Sequence, residues 1–153
     1  MLQVIAGLGW IFALFMSFRG RISRVPYTLA SICLLFMYFY MQELDQIISR
    51  HQIPPADMVL TFLALVIVQI WFNAALLIKR LHDVGLGASY LLFYVIPVIA
   101  GIVNVLTFQI PFLLEAASLP GGILAIALIF TRGQRHANAY GPPPNAPKTV
   151  SIA

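Results

Sequence analysis

Five long uncharged runs of mostly apolar residues constrain the fold of this chain more than any other feature. They cover residues 1–18, 25–42, 58–78, 84–114 and 116–131. Crossing the hydrocarbon core of a bilayer takes about 20 helical residues, a length that most of these runs approach or exceed. The chain of 153 residues contains 9 Lys or Arg and 5 Asp or Glu, so that 9% of its residues are charged. Soluble domains carry about 25%, and the sequence therefore predicts that lipid surrounds most of this polypeptide.

Backbone in lipid must satisfy its own hydrogen bonds, which a helix does locally. The runs 25–42 and 58–78 each predict one transmembrane helix. The fourth run is too long for a single crossing, so we expect a helix from residue 88 to about residue 108 and then a turn. A last helix is expected from about residue 112 to residue 130. Together they predict an all-α integral membrane bundle of four transmembrane helices, with residues 1–18 as an N-terminal apolar helix that forms either a fifth span or an interfacial helix.

The last predicted helix contains two features that disfavour a regular span. Glu115 lies about one turn inside it, and a charged side chain is costly within a bilayer. Pro120, Gly121 and Gly122 follow in direct succession near its middle. Proline and glycine are the weakest helix formers, so we expect these three residues to interrupt the helix.

The distribution of basic residues predicts an orientation. If the run 25–42 crosses outward and the later runs alternate, eight of the nine basic residues fall on one side, with only Arg50 opposite. That side is predicted to be cytoplasmic, because Lys and Arg near span ends resist translocation. Residues 1–132 are then a transmembrane domain, and residues 133–153 are predicted to form a proline-rich, mobile cytoplasmic tail.

Three short motifs resemble those of a known family. Residues 18–24 (FRGRISR), followed by Tyr27, are similar to the F-x-G-R-x-x-R-x-x-Y-W motif of the domain-of-unknown-function 805 family. Residues 79–85 (KRLHDVG) resemble its R-R-L-H-D-x-G loop, and residues 138–144 (NAYGPPP) resemble its N-R-Y-G-P-D-P ending. The resemblance implies a small multi-pass protein of the bacterial inner membrane, and it implies no activity.

The chain also departs from the family pattern. Thr28 and residues 88–90 stand where the family usually has tryptophan, Pro26 replaces an acidic residue, and Ala139 stands where arginine is common. Residues 109–122 look like an insertion relative to shorter members, and they contribute part of the last predicted helix.

The basic residues of the inner face are the strongest candidates for binding. Near a membrane surface each attracts anionic lipid by about 1 kcal/mol. We therefore predict that they bind lipid headgroups or a membrane-protein partner, and the alternative is that they only fix topology and extend to the interface. They are Arg19, Arg21, Arg24, Lys79, Arg80, Arg132 and Arg135, with His136 beside them.

Asp83 is the only acidic residue predicted on this side, and it needs a cationic partner. Arg21 and Arg24 are both candidates, and we group Asp83, Arg24 and His82 as a structural ion pair in which the carboxylate also orients the imidazole. Such a pair joins the first loop to the second. Catalysis by His82 and Asp83 needs a nucleophile or a bound substrate, and no serine or cysteine lies in a recognised motif such as G-x-S-x-G.

Gln69, Asn73 and Asn104 are the polar residues within the predicted spans, and we expect them to form hydrogen bonds between helices. The sequence has no metal-ligand motif, no phosphate-binding loop and no nucleic-acid reader, so we expect neither a metal, a cofactor nor nucleic acid. These patterns favour a non-enzymatic accessory or scaffold protein that contacts anionic lipid, within a membrane-protein complex or a homo-oligomer. A small oligomeric transporter or channel, and a headgroup-modifying enzyme that uses His82 and Asp83, are the alternatives.

Overall fold

The computed structural model describes residues 12–51, 55–106 and 111–144. Residues 12–16 are helical and precede α1 (Arg24–Ser49) and α2 (Ala56–Val84). A 3₁₀ turn (Ala88–Leu91) leads into α3 (Leu92–Leu106), and α4 (Pro111–Phe130) follows. No strand occurs in these three stretches, so the predicted all-α class is confirmed.

Two helices are long and apolar enough to cross a membrane. α1 has 26 residues and α2 has 29. At about 1.5 Å per residue, both exceed the thickness of about 30 Å of a bilayer core. Phe36 in α1 and Ile67 in α2 are 70% and 66% exposed, which favours lipid over water around these helices. The remaining apolar helices of the described chain are shorter, so a bundle of four transmembrane helices stays a prediction. Residues 1–11 of the predicted N-terminal helix lie outside the described residues.

The predicted interruption of the last helix is wrong, because α4 runs unbroken through Pro120 and the two glycines after it. Gly121 is buried against α3, and a Cβ at this position would lie 2.8 Å from the backbone oxygen of Phe93. The missing side chain therefore allows α3 and α4 to pack closely, as small residues do between apolar helices. The glycine that was expected to break the helix instead serves its packing.

The chain forms two compact units, and the first comprises Met1–Phe18 and Thr28–Leu76, of which residues 12–18, 28–51 and 55–76 are described. Here the residues before α1 pack on α2 through two aromatic pairs. The rings of Phe15 and Phe72 lie 4.6 Å apart, and those of Phe18 and Trp71 lie 4.8 Å apart. Such pairs contribute about 0.5–1.5 kcal/mol beyond the area that they bury. The buried apolar residues of this unit are Leu14, Ala30, Leu34, Met41, Ala75 and Leu76.

The second unit comes from Arg19–Tyr27 and Leu77–Ala153. It contains the loop before α1, the end of α2, and α3 with α4. Its buried apolar residues are Ile22, Tyr27, Leu77, Ile78, Leu81 and Leu128. The division into a domain over residues 1–132 and a mobile tail stays a prediction. Residues 133–144 make the specific contacts given below, and residues 145–153 lie outside the described part.

Candidate functional site

The end of α2 has a backbone geometry that stops the helix and turns the chain away. Gly85 follows the helix with φ +88°, a conformation that glycine adopts without strain. The N–H of Leu86 donates to the carbonyl of Leu81 at 2.8 Å, and the N–H of Gly85 donates to that of His82 at 3.2 Å. This is the Schellman arrangement, which ends a helix at a left-handed glycine. These two bonds satisfy the carbonyls of Leu81 and His82 and turn the chain away, so the carbonyl of Asp83 is left for donors from outside the helix.

Arg80 lies in the last turns of α2 and is completely buried. Its Nη1 donates to Asp83 Oδ2, one turn further along the same helix, and to the carbonyl of Ile22 at 3.3 Å. Nε donates to the carbonyl of Leu128 at 3.0 Å, and Nη2 donates to that of Thr131. Carbonyls at the C-terminus of a helix lack intrahelical donors and carry partial negative charge. Arg80 thus caps the end of α4 with a positive charge.

Arg21 approaches the same carboxylate from the loop before α1, and its side chain is 1% exposed. Nε and Nη2 donate to Asp83 Oδ1 at 3.2 and 3.0 Å, which is a forked contact to one oxygen. Nη1 donates to the carbonyls of His136 and Gly141 at 2.9 and 3.2 Å. Nη2 also donates to the carbonyls of Gln134 and of Asp83 itself. Arg21 therefore fixes the segment after α4 against the end of α2.

We call the side chains of Arg21, Arg80 and Asp83 the arginine clasp. The three are almost completely buried, and they carry one net positive charge. Burying an unbalanced charge is costly unless hydrogen bonds compensate for it. Seven backbone carbonyl contacts to the two arginines provide that compensation. The clasp is thus a hydrogen-bonded network that connects three separate parts of the chain.

A compact turn after α4 completes the site. Asn138 and Gly141 exchange backbone hydrogen bonds at 3.1 and 3.0 Å. The side chain of Asn138 accepts from the N–H of Tyr140 at 2.9 Å and donates to the carbonyl of His82, also at 2.9 Å. The Tyr140 ring stacks on the His82 ring, with centroids 3.7 Å apart and planes at 7°. A second donor bond from Asn138 reaches Gln134 Oε1 at 2.9 Å, so three hydrogen bonds of this one side chain hold the turn.

A cavity of about 700 Å³ lies beside the arginine clasp. Arg80 and Asp83 form part of its lining, and three exposed arginines, Arg24, Arg132 and Arg135, form another part. Four arginines and a single aspartate leave an excess of three positive charges around this space. The arrangement favours an anion as its occupant.

A family model described as "Protein of unknown function (DUF805)" matches residues 15–142. The chain belongs to the DUF805 family. The membership confirms the resemblance carried by the three motifs. Comparisons with curated proteins and with solved structures give no match. Because the family description assigns no activity, the function of this DUF805 member has to be inferred from the chemistry of the site.

All three DUF805 motifs meet in this site. The first supplies Arg21 and the backbone of Ile22, the second supplies Arg80 and Asp83, and the third supplies the turn at Asn138. The motifs are separated by tens of residues in sequence, yet residues of each motif form hydrogen bonds with residues of another. In this member, the motif residues therefore build a common framework.

The structure differs from the expected ion pair in its partners. Asp83 pairs with Arg21, one of the two candidates, and with Arg80, rather than with Arg24. Arg24 is exposed and lines the cavity. His82 is not oriented by the carboxylate, because both oxygens of Asp83 accept from arginine and His82 Nδ1 lies 3.2 Å from the carbonyl of Gly20. A His-Asp pair of the catalytic kind is absent from this part of the described chain.

The basic residues predicted on the inner face separate into a buried group and an exposed group. Lys79, Arg80 and the Arg21 side chain are buried in protein, so they are not available to lipid headgroups as expected. Lys79 and Arg80 are buried because α2 continues beyond its apolar run, which carries them into the packed end of the helix. The Arg21 side chain is buried because it pairs with Asp83 from the loop before α1. The remaining members are exposed: Arg19, Arg24, Arg132, Arg135 and His136.

The interhelical polar residues lie in the first unit, apart from Asn104, whose side chain is outside the described part. Gln69 Nε2 donates to the carbonyl of Leu34 in α1 at 3.0 Å. Asn73 Nδ2 donates to the carbonyl of Gln69 within α2 at 2.8 Å. Gln69 therefore makes the predicted contact between helices, whereas the described bond of Asn73 stays within its own helix.

Metal binding was not expected from the sequence. Among the residues that the structure describes, no three His, Cys, Asp or Glu side chains lie together as metal ligands would.

Sequence reasoning missed Asn138, Gln134 and Gly133. A Cβ on Gly133 would overlap the Asp83 carboxylate, so only glycine fits there without a shift. The N–H of Gln134 donates to the carbonyl of Asp83 at 2.8 Å. The resemblance of residues 138–144 to a family motif was the available signal for a structured segment, and the proline content pointed the other way.

Proposed function

We propose that this DUF805 member is a non-enzymatic, multi-pass accessory or scaffold protein of the bacterial inner membrane, with its C-terminus in the cytoplasm. Its cytoplasmic face binds the anionic headgroups of membrane lipids. Four exposed arginines of the second unit make this contact, and we call them the exposed arginine set: Arg19, Arg24, Arg132 and Arg135.

The separation of buried from exposed arginines carries the proposal. The buried pair, Arg21 and Arg80, occupies both oxygens of Asp83. That carboxylate is therefore not available to neutralise the exposed arginine set. Arg132 and Arg135 have no ion-pair partner among the described residues. Arginine side chains that lack an ion-pair partner and lie close to the ends of apolar helices attract anionic headgroups by about 1 kcal/mol each.

The neighbourhood of the helix ends supports the same view. Arg24 is the first residue of α1, and Arg132 follows the last residue of α4 by two positions. Basic residues at such positions favour the cytoplasmic side and contact the headgroup layer. The clasp then acts as the rigid support that keeps the loop before α1 and the segment after α4 together.

The composition of the lipid that surrounds the full chain tests the proposal. The protein is extracted with a belt of native membrane, and the co-purified lipids are quantified against the bulk membrane. We expect anionic lipid to be enriched for the unmodified chain. The enrichment should fall severalfold in a variant that combines Arg19→Gln with Arg24→Gln, because about 1 kcal/mol per basic residue is about a fivefold effect.

Arg50→Gln is the charge-matched control, since Arg50 is exposed and lies in the loop after α1, on the side predicted to be periplasmic. It should leave the lipid composition unchanged. The proposal would be contradicted if the lipids around the unmodified chain had the same composition as the bulk membrane. Loss of a co-purifying protein with unchanged lipid, in the Arg19 and Arg24 variant, would instead identify an acidic membrane-protein partner and would also overturn the lipid assignment.

A further inference from the structure

We infer that the cavity bounded by Arg24, Arg132 and Arg135 holds one phosphate group, either that of a phospholipid headgroup or that of a soluble phosphate compound. The inference rests on the proposed function and deepens it. A diffuse attraction for anionic lipid needs no defined cavity, whereas a cavity that holds one phosphate gives a single saturable site.

The charges around the cavity favour an anion. Arg24, Arg80, Arg132 and Arg135 line it, and Asp83 is the acidic residue among its lining residues. Both oxygens of Asp83 are already engaged by the arginine clasp. The carboxylate therefore serves the buried arginines, whereas Arg132 and Arg135, which have no ion-pair partner among the described residues, are left to an external anion.

The donors around the cavity suit phosphate. The described chain provides neither a hydrogen-bond acceptor nor a carboxylate for the side chains of Arg132 and Arg135. A guanidinium has five N–H donors in a planar fork that matches two phosphate oxygens. Four N–H contacts engage Arg80, so one N–H on its Nη2 has no acceptor within the described part of the chain. Arginine is the residue preferred for such bidentate recognition of phosphate.

The wall that carries these arginines is held in place before any ligand binds. Gln134, which also lines the cavity, lies between Arg132 and Arg135 in sequence. Its N–H donates to the carbonyl of Asp83, and its carbonyl accepts from Arg21. Fixing the backbone in this way reduces the ordering cost that binding would otherwise incur. The two exposed arginines are thereby presented from a fixed point on the clasp.

The size of the cavity favours more than a bare ion. Its volume of about 700 Å³ lies within the range of about 300–1,000 Å³ that is usual for small-molecule sites. Pro143 and Pro144 add an apolar surface to the lining. A phosphate with an organic substituent, such as a glycerol-linked headgroup, suits a space with arginines on one part of its wall and prolines on another.

Native mass spectrometry of the full chain in detergent tests the inference. The two probes are a short-chain phosphatidylglycerol and inorganic phosphate, each titrated separately and then in competition. We expect one molecule of phosphatidylglycerol to bind saturably. The double variant Arg132→Gln with Arg135→Gln should bind it at least about tenfold more weakly, because each lost charge-assisted hydrogen bond has about this effect. Arg50→Gln should bind as the unmodified chain does.

The competition arm distinguishes the two sources of phosphate. Failure of inorganic phosphate to displace the lipid assigns the site to a lipid headgroup, and displacement at comparable concentration assigns it to a soluble phosphate compound. A rise in the melting temperature of the unmodified chain on addition of either probe gives a readout that needs no variant. The inference is overturned if neither probe binds more tightly to the unmodified chain than to the double variant.

The proposed function can survive that failure. Arg19→Gln changes a residue of the exposed arginine set that does not line the cavity. If the proposed function holds and the single site does not exist, anionic lipid will decline with Arg19→Gln and with the double variant alike, without a saturable step. If both hold, only the double variant will abolish the saturable step.

Discussion

Two polar contacts between apolar helices of this chain are built in different ways. In the first unit, one neutral amide of Gln69 reaches the backbone of α1 across 35 residues of sequence. In the second unit, the arginine clasp buries three charged side chains, and Arg21 reaches backbone carbonyls up to 120 residues away. The first contact adds one hydrogen bond to a surface that packs through apolar side chains. The second offsets buried positive charge with one carboxylate and several backbone carbonyls, so each of its members depends on the others.

The largest expected effect comes from removing the negative charge of the clasp. Asp83→Asn keeps the shape of the side chain but leaves Arg21 and Arg80 buried without a counter-charge. Breaking a buried ion pair by removing one partner costs about 3–5 kcal/mol. We expect the unfolding free energy of the full chain in detergent to fall by this amount, as measured by Trp fluorescence in a denaturant titration.

Asp45→Asn serves as the matched control for that substitution. Asp45 is exposed on α1, and changing an exposed residue away from any network usually alters stability by less than about 0.5 kcal/mol. Equal stability of the Asp83→Asn and Asp45→Asn proteins would show that the clasp contributes no more than a surface charge. The comparison between the two units would then fail.

An intermediate effect is expected where the backbone touches the clasp. Gly133→Ala places a methyl group on the Asp83 carboxylate, which has to move together with its two arginines. Overpacking of this kind costs about 1–3 kcal/mol. Gly122→Ala is the control, because a Cβ there meets nothing within 4 Å and lies in the interior of α4.

The two glycine variants should change stability in opposite directions. Alanine in an exposed helix interior is favoured over glycine by about 1 kcal/mol, so Gly122→Ala should stabilise the protein. Melting temperatures of the two variants, measured side by side in one detergent, check the sign. A Gly133→Ala protein as stable as the Gly122→Ala protein would mean that the carboxylate is free to move, contrary to the tight network around it.

The same contrast explains what the sequence could predict. The helices follow from hydropathy along short windows, and all of the described predicted helices are present. The apolar run of the third predicted segment ends at Ile78, but α2 continues to Val84. That extension places Arg80 and Asp83 one turn apart, where they pair. Their spacing of three residues and the glycine at position 85 were readable signals that the helix continued and then ended.

The segment after α4 was harder to predict, because its structure depends on distant partners. Its prolines indicate an extended chain, and no local pattern shows that Arg21 will bind the carbonyls of Gln134 and Gly141. Contacts over such separations incur a loop-closure cost before they contribute stability, so propensity says little about them. The side chain of Asn138, which bonds both its own turn and the end of α2, is visible only once the fold is assembled.

The smallest effect is expected at Gln69, in the first unit. Gln69→Leu removes the hydrogen bond to Leu34, and bonds of this kind between membrane helices contribute about 0.6 kcal/mol on average. It also removes Gln69 Oε1, a buried oxygen without a hydrogen-bond partner among the described residues, and losing an unsatisfied polar atom is favourable. The two terms oppose each other, so the unfolding free energy should change by less than about 1 kcal/mol.

Asn73→Leu is the paired measurement, since its bond lies within α2 alone. A loss at Gln69 as large as that of Asp83→Asn would mean that one neutral amide fixes the first unit as strongly as charge fixes the second, and the distinction between the two regions would not hold.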